Sequence, residues 1–265
     1  MLFRSFLRCP TYKAQLKDLP VAERARQMSD PELRRTLLAE AVEVRGGFFQ
    51  MAGGNADRVF RLGSPADYEP APEASLGAEA RRTGRDAFEL VYDALLERDG
   101  QELLYFPLAN YVGFTMDAAR EMLLSEQVIP GLSDGGAHVS FICDASFPTF
   151  MLTHWARDRT RGEGLPLEFV VKRQTHDTAR HVGWNDRGVL APGYLADINV
   201  IDFENLSLPA PSMIYDLPAG GKRLMQKPTG YRATIKRGVV TFLDGEPTGE
   251  LPGSLQRGAQ PAPVA

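Results

Sequence analysis

The sequence has 265 residues, 43% of them apolar and 24% charged, which is the composition of a globular protein large enough to bury a core. Its formal net charge is −4 and its Lys and Arg residues are scattered, so charge gives no reason to expect nucleic acid or an anionic membrane as a partner. Cys9 and Cys143 lie far apart with no Cys-x-x-Cys, which favours neither a disulfide framework nor a thiolate zinc cage. No apolar run reaches the roughly 20 residues of a membrane span. A reducing cytoplasm is therefore expected.

The first part of the chain predicts helix and loop. A helix begins where Asp30 caps its first turn and Pro31 takes the first helical position, or where the serine and glutamate flanking this pair form a capping box. One face of that helix is apolar and consists of Leu33, Leu37, Leu38 and Ala41. Gly46-Gly47 ends it, and the turn-rich residues 46–85 contain one short strand candidate at 58–62.

The middle of the chain predicts a strand, a helix and a second strand. After a helix at 86–98, an apolar run of strand length occupies 103–108, Thr115 caps the next helix, and a further apolar run at 128–134 predicts another strand. Short connections between such elements require a parallel strand pair with a right-handed crossover. This βαβ unit predicts an α/β fold class.

The second half predicts two more helices, at about 147–158 and 165–180, and then a change of architecture. Beyond Gly183 the chain alternates and turns often. Three strand candidates follow there, at 197–202, 232–236 and 239–243, and the dipeptides Arg237-Gly238 and Asp244-Gly245 supply turns. We expect a small antiparallel sheet in this region. The last residues, 254–265, are rich in Pro, Gly and Ala and are expected to be a flexible tail.

The stretch that carries the strongest chemical signal is the end of the predicted strand 128–134. The apolar run ends in Asp134, and Gly135 and Gly136 follow it. A parallel strand delivers a carboxylate to the mouth of a site in this way, and the glycines allow positive φ and close approach of a ligand. Asp-Gly is equally an ordinary turn dipeptide. The pattern alone leaves a turn and an active-site carboxylate both open.

The four histidines do not form a metal site by spacing. His138, His154, His176 and His181 include no His-x-His and no pair four residues apart on one helix face. We interpret the last three as structural helical histidines, because a lone histidine is weak evidence for a ligand. His138 stands four residues after Asp134, so both interpretations stay open for it. A complete barrel of eight strands in about 250 residues does not fit a chain with two convincing βα units.

Several motifs together resemble a known family. The motifs are Gly131-Leu-Ser-Asp-Gly-Gly-Ala-His138, Thr175-x3-Ala179-x3-Gly183, Arg187-Gly-Val-Leu-Ala-Pro-Gly-Tyr-Leu-Ala-Asp197 and Gly249-Glu-Leu-Pro-Gly253. They resemble the C-terminal part of the metal-dependent amidohydrolases, and specifically the D-aminoacylase, or N-acyl-D-amino-acid deacylase, branch. From residues alone, the glycines of the third motif are interpreted as turn formers and Asp197 as a residue that hydrogen-bonds a loop.

The resemblance implies a fold and a set of roles. It implies the last units of a metal-dependent (β/α)8 barrel over residues 1–183, part of a β-sandwich over 184–253, and the tail over 254–265. It implies zinc as the cofactor, with Asp134 as the catalytic residue and a metal ligand. It also implies hydrolysis of the amide bond of N-acyl amino acids, with Asn110, Tyr111 and His138 as residues that line the substrate cleft.

The departures from the family pattern define two hypotheses. The family's His-x-His strand and most of its other metal ligands have no counterpart in this chain. In the first hypothesis the chain is the C-terminal portion of a hydrolase of linear amide C–N bonds, inactive alone and completed by an N-terminal half or by a homo-oligomer. In the second it is a non-catalytic binding or scaffold protein derived from an amidohydrolase.

Overall fold

The computed structural model describes residues 6–43, 48–107, 109–131 and 135–263. The chain divides into two compact units, Met1–Met116 and Asp117–Ala265, and each is described here by itself. Among the described residues, no helix is both long enough and apolar enough to cross a membrane.

The unit 1–116 is mainly helical. Its α-helices are Pro10–Gln15, Val21–Met28, Pro31–Glu43, Phe48–Gly54, Leu76–Thr83 and Ala87–Gly100, and its two short strands are β1 (Phe60–Arg61) and β2 (Leu104–Tyr105). The predicted cap at Asp30 is confirmed, since Asp30 Oδ1 accepts hydrogen bonds from the backbone N–H groups of Glu32 and Leu33, at 3.0 Å each. Asp86 caps its helix in the same way.

The core of this unit forms where the helices bring aromatic and aliphatic side chains together. The rings of Phe6 and Phe49 lie 4.8 Å apart, and those of Phe6 and Tyr92 lie 5.3 Å apart. The predicted inward faces are confirmed, because Leu37 and Leu95 are fully buried. Burial of these apolar side chains is the main stabilising contribution in the unit.

The unit 117–265 combines helices with antiparallel strands. Its helices are Asp117–Leu124, then Phe147–Phe150 continued by a π-helix at Met151–Asp158, and Leu167–Lys172 continued by a π-helix at Arg173–Asp177 and by Thr178–His181. Its strands are β3 (Ile198–Ile201), β4 (Ser212–Leu217), β5 (Gly221–Met225), β6 (Tyr231–Lys236), β7 (Val239–Leu243) and β8 (Glu246–Pro247). One sheet has the order β3-β6-β7-β8 and the other pairs β4 with β5.

The strands predicted near 197–202, 232–236 and 239–243 are confirmed as β3, β6 and β7, and they pair antiparallel as expected. The predicted turns are confirmed by positive φ at Arg237, Gly238, Asp244 and Gly245. The hairpin of β4 and β5 was absent from the prediction, and so were four of the short helices in the first unit.

The predicted parallel βαβ unit is wrong as a local structure. β2 pairs antiparallel with β1, and residues 128–131 do not belong to a strand. Proline explains why both runs stay short: Pro107 and Pro130 have no backbone N–H to donate to a ladder. Every strand pair among the described residues is antiparallel, so the fold shown is a mixture of helix and antiparallel strand. The predicted domain boundary at residue 183 stays a prediction.

The core of the first unit gives a stability test. Leu95→Ala removes a fully buried side chain from a helix, and it should lower the free energy of unfolding by about 2–5 kcal/mol through lost burial and the cavity that remains. Leu7→Ala is the matched control, because Leu7 is 44% exposed and should cost less than about 1 kcal/mol. Urea unfolding followed by circular dichroism measures both. Equal effects of the two substitutions would contradict this description of the core.

Candidate functional site

The loop that follows the predicted catalytic aspartate is the first candidate region. Asp134 itself, with Leu132 and Ser133, lies outside the described residues. Immediately after it Gly136 has a φ of +91°, the left-handed conformation that glycine adopts without strain, as the sequence predicts. His138 also has a positive φ, of 45°, and its side chain is exposed. An exposed imidazole at this position is available to a ligand.

The rest of this loop is attached to the sheet region of its own unit. The carbonyl of His138 accepts hydrogen bonds from the N–H groups of Phe141 and Ile142, at 2.7 and 3.0 Å. The carbonyl of Val139 accepts one from Leu224 in β5, at 2.7 Å. Further along, the Ser146 hydroxyl donates to the side-chain oxygen of the buried Gln226. These contacts fix the described part of the loop from its C-terminal side.

Asn110 and Tyr111 lie in the other unit, in a turn at the end of the region that contains β2. Asn110 is exposed and has a φ of 59°. The Tyr111 side chain is fully buried and its hydroxyl donates to the carbonyl of Pro70. Arg58 donates to the Tyr111 carbonyl at 3.0 Å, which ties this turn to the same unit. The Asn110 side chain is therefore accessible to solvent, whereas the Tyr111 ring is part of the core.

The structure thus places the predicted site residues in different parts of the chain. Asn110 and Tyr111 belong to the unit 1–116, and His138 belongs to the unit 117–265. The assignment of these three residues and of Asp134 to one site stays a prediction.

The other three histidines have structural surroundings. The His154 ring stacks on Phe150, with ring centroids 4.6 Å apart and planes within 9°, and it meets Trp155 edge-on at 5.2 Å. His176 Nδ1 lies 3.0 Å from a carboxylate oxygen of Asp177. His181 is exposed at the end of its helix. These environments agree with the interpretation of the three as helical histidines packed or paired within the unit.

Asp177 is the centre of a charged cluster that the sequence did not reveal. Burial raises the pKa of its carboxyl group, but hydrogen bonds from Lys172, His176 and Arg173 outweigh that effect and lower the pKa from its ordinary 3.8 to about 2. The Lys172 ammonium lies 2.6 Å from one carboxylate oxygen, and an Arg173 nitrogen lies 3.3 Å from the other. Asp177 is thus ionised at neutral pH and holds the buried Arg173 in place.

The segment from Arg187 to Asp197 borders a cavity of about 420 Å³. The cavity is lined by Thr175, Thr178, Ala179, Val182, Trp184, Arg187, Gly188 and Asp197. The structural interpretation of this motif is confirmed, because Asp197 Oδ1 accepts the backbone N–H of Arg237 at 2.9 Å. Gly188 has a φ of +83°, and a Cβ atom there would lie 2.9 Å from the carbonyl oxygen of Thr175. Only glycine fits at this position.

Arg187 is one of the residues that line that cavity. Its guanidinium group makes a two-pronged contact with Asp186, at 2.8 and 3.0 Å, and lies 4.8 Å from the centre of the Trp184 ring. The charge and the planar surface of the guanidinium group are therefore both engaged by other residues of this chain. This arrangement joins the last helix to the start of β3 and shows no group poised for catalysis.

A metal centre would need several donor side chains close together. Among the described residues, no three side chains of His, Cys, Asp or Glu come together in a way that could hold a metal ion. The described part of the chain therefore does not fit a zinc site by itself. The sequence analysis missed Arg173 and Asp177. Apart from Asp177, the hydrogen-bond partners of Arg173 are backbone carbonyls, which leave no signal in the sequence.

Comparison with known proteins gives a family match. The family model described as the amidohydrolase family matches residues 14–242. Adenine deaminase 2 from Oenococcus oeni (strain ATCC BAA-331 / PSU-1) is 46% identical to this chain over 39 residues, which are 15% of this chain and 7% of that protein. The matched stretch thus spans a small part of that relative's length. No solved structure matches this chain.

The charged cluster around Asp177 predicts a pH dependence. The folded-state pKa of about 2 lies below the unfolded value, so the stabilisation by ionised Asp177 is present above about pH 4 and is lost as the pH falls towards 2. Asp177→Asn should therefore destabilise the protein at pH 7 and become indistinguishable from wild type near pH 2. Both tryptophans, Trp155 and Trp184, lie in the unit 117–265, so urea unfolding followed by tryptophan fluorescence reports on this unit.

A matched control for this prediction is Glu250→Gln. Glu250 is exposed, and among the described residues it has no ion-pair partner. Its replacement should leave the pH dependence of unfolding unchanged. The contrary result is that the free energies of unfolding of wild type and Asp177→Asn differ by the same amount at pH 7 and at pH 2. That result would show that the Asp177 carboxylate is not held ionised by its neighbours.

Proposed function

This chain belongs to the amidohydrolase family, and we propose that it supplies part of a metal-dependent hydrolase of linear amide C–N bonds. The proposed substrates are N-acyl amino acids, in particular those of D-amino acids. The observation that carries this proposal is the family match over residues 14–242, which includes the Asp134 loop and the Arg187 to Asp197 segment. The motifs quoted above support the narrower D-aminoacylase branch.

The chemistry proposed for this chain lies with the carboxylate of Asp134. As a general base, that carboxylate accepts a proton from a water molecule while the water oxygen attacks the amide carbonyl carbon. As the C–N bond breaks, the same group passes the proton to the leaving nitrogen. One carboxylate at the right position serves both steps, and such proton transfer contributes about 10²–10⁴-fold to a rate.

The proposed cofactor is zinc, held together with groups from outside this chain. The described residues do not offer a ligand set, so the remaining ligands are proposed to come from a polypeptide segment carrying a His-x-His strand, either an N-terminal half or a second chain. A homo-oligomer is the other arrangement that would bring further ligands together. The barrel and the sandwich are proposed for the assembled protein, because the strand pairs described here are antiparallel and do not themselves form parallel barrel units.

The proposed substrate contacts involve Asn110 and His138. Both side chains are exposed and both residues have a positive φ. An amide and an imidazole suit the carbonyl and carboxylate groups of an N-acyl amino acid because they donate hydrogen bonds to oxygen. For Tyr111, the proposed contribution comes from the backbone of the turn, since its ring is buried.

A second function is a non-catalytic binding or scaffold role. The observation that favours it is that the described residues hold no cluster of metal-ligating side chains. A second substrate class is suggested by the name of the Oenococcus oeni relative, whose deamination of adenine also breaks a C–N bond. The share of that relative covered is too small to decide the substrate, so adenine belongs in the substrate panel.

The test of this function begins with the coding sequence upstream of the chain. The proposal expects a reading frame, continuous or adjacent, that encodes a His-x-His strand. Its product, expressed together with this chain and supplied with zinc, should release free amino acid from N-acetyl-D-amino acids faster than from the L-isomers, and faster than it releases ammonia from adenine. Asp134→Ala should lower kcat by at least about 100-fold, because it removes the general base.

The outcome that would contradict the proposal is equally definite. An upstream sequence without such a strand, together with a chain that folds and shows no hydrolysis of the panel, would support the scaffold function. Gln256→Ala is a control variant, because Gln256 contacts Arg187 far along the chain from Asp134 and should leave kcat unchanged.

A further inference from the structure

The segment that precedes Asp134 is incompletely buried over its described residues 117–131. In the helix Asp117–Leu124 and in residues 125–131, every residue is partly or fully exposed. Hydrophobic burial therefore stabilises this segment less than it would a helix with a fully buried face. Its position depends on polar contacts, and the structure shows where the strongest of these are.

Arg173 supplies those contacts at the end of the segment nearest to Asp134. One terminal nitrogen of its guanidinium group donates to the carbonyl oxygens of Leu123, Ser125 and Val128, at 3.1 and 2.6 Å for the first two. These carbonyls belong to the last turn of the helix and to the chain just beyond it, where helix carbonyls lack intrahelical partners. Arg173 thus binds the backbone at three points within six residues.

The guanidinium group is itself held in place. Asp177 pairs with its other terminal nitrogen at 3.3 Å, and the Phe169 ring lies 5.6 Å from its central carbon. Arg173 is only 6% exposed and opens a π-helical stretch, in which a wider turn alters where side chains project. A buried charge is costly unless it is paired and hydrogen-bonded, so both the ion pair and the carbonyl contacts are needed together.

We propose that Arg173 is a positioning residue that sets the path of residues 123–131, the segment that precedes Asp134 in the sequence. The catalytic meaning of this placement rests on the proposed function of Asp134, whereas the hold on residues 123–131 is a property of the unit 117–265 alone. Arginine is required because a planar fork with several donors reaches separate carbonyls and a carboxylate at once. A lysine ammonium is a point charge on a flexible stem and cannot do this.

Arg157 offers a control with the same chemistry at a different loop. Its guanidinium group donates to the carbonyls of Phe203, Glu204 and Leu206, and pairs with Asp158 at 2.6 and 2.9 Å. It therefore also combines a carboxylate partner with three backbone carbonyls. Its substitution should release residues 203–207 and leave residues 123–131 unaffected.

Amide hydrogen exchange measured by mass spectrometry tests the proposal on the full chain. The N–H groups of Ser125 and Val128 donate hydrogen bonds within the segment, so their exchange reports on its order. R173M should raise exchange in residues 123–131 by at least about tenfold, the effect expected for losing hydrogen bonds to a charged group. R173K should do nearly the same, and R157M should raise exchange in residues 203–207 only.

The strands β6 and β7 monitor whether each variant remains folded. If R173M loses protection there as well, R173K, which keeps the charge beside Asp177, carries the test. Unchanged exchange of residues 123–131 in a folded R173M variant would overturn the proposal. Wild-type exchange in R173K would overturn the requirement for the guanidinium shape.

A kinetic measurement separates positioning from general stability. In the assembled hydrolase, R173K should lower kcat about tenfold or more with KM nearly unchanged, because a displaced catalytic group loses rate without losing substrate contacts. R157K should change neither constant. Equal kcat in R173K and wild type would overturn the link to Asp134. A failure of every assembly to hydrolyse the panel would instead count against the proposed function, and the exchange result would stand.

Discussion

The unit 117–265 depends on arginine side chains that bind backbone carbonyls. None of its six strands contains a fully buried residue, and most of their residues are only partly buried or exposed. Arg157, Arg159 and Arg173 instead tie separate loops to the helical part of the unit by donating to their carbonyls. A hydrogen bond to a charged group contributes about 1.5–3 kcal/mol, and its loss leaves a charge without a partner. Each of these arginines therefore fixes the course of one loop.

This constraint links the fold to the proposed chemistry. The described residues 117–131 that precede Asp134 include no fully buried side chain, and the loop that follows Gly136 is attached to β5 by the carbonyl of Val139. Arg173 binds backbone carbonyls of residues 123–128, before Asp134, and Leu224 in β5 binds the carbonyl of Val139, after it. A general base is useful only when its carboxylate stands at a defined distance from the reacting atoms, so contacts of this kind on both sides of Asp134 serve placement as well as stability.

Features encoded by neighbouring residues could be predicted from the sequence, whereas features that depend on distant partners could not. Asp30 as a cap and Arg237-Gly238 as a turn were predicted, because their geometry is decided within a few residues. The parallel strand pair was wrong, because an apolar run predicts a strand without naming its neighbour, and Pro107 and Pro130 limit both runs. Arg173 was missed for a related reason: its carbonyl partners lie 45–50 residues away and carry no side-chain signal. The family, by contrast, was recognised from short motifs whose glycines and aspartates are needed for turns.

The central proposal is that Asp134 is a catalytic carboxylate of an amidohydrolase and that the metal centre is completed by ligands from outside this chain. The zinc content of the purified chain, measured by elemental analysis beside an Asp134→Ala variant, tests it most directly. We expect far less than one zinc ion per chain in both proteins, because the described residues bring no ligand cluster together. A content near one zinc ion per chain, lost on replacement of Asp134, would show that the chain builds its own metal site and would contradict the proposal.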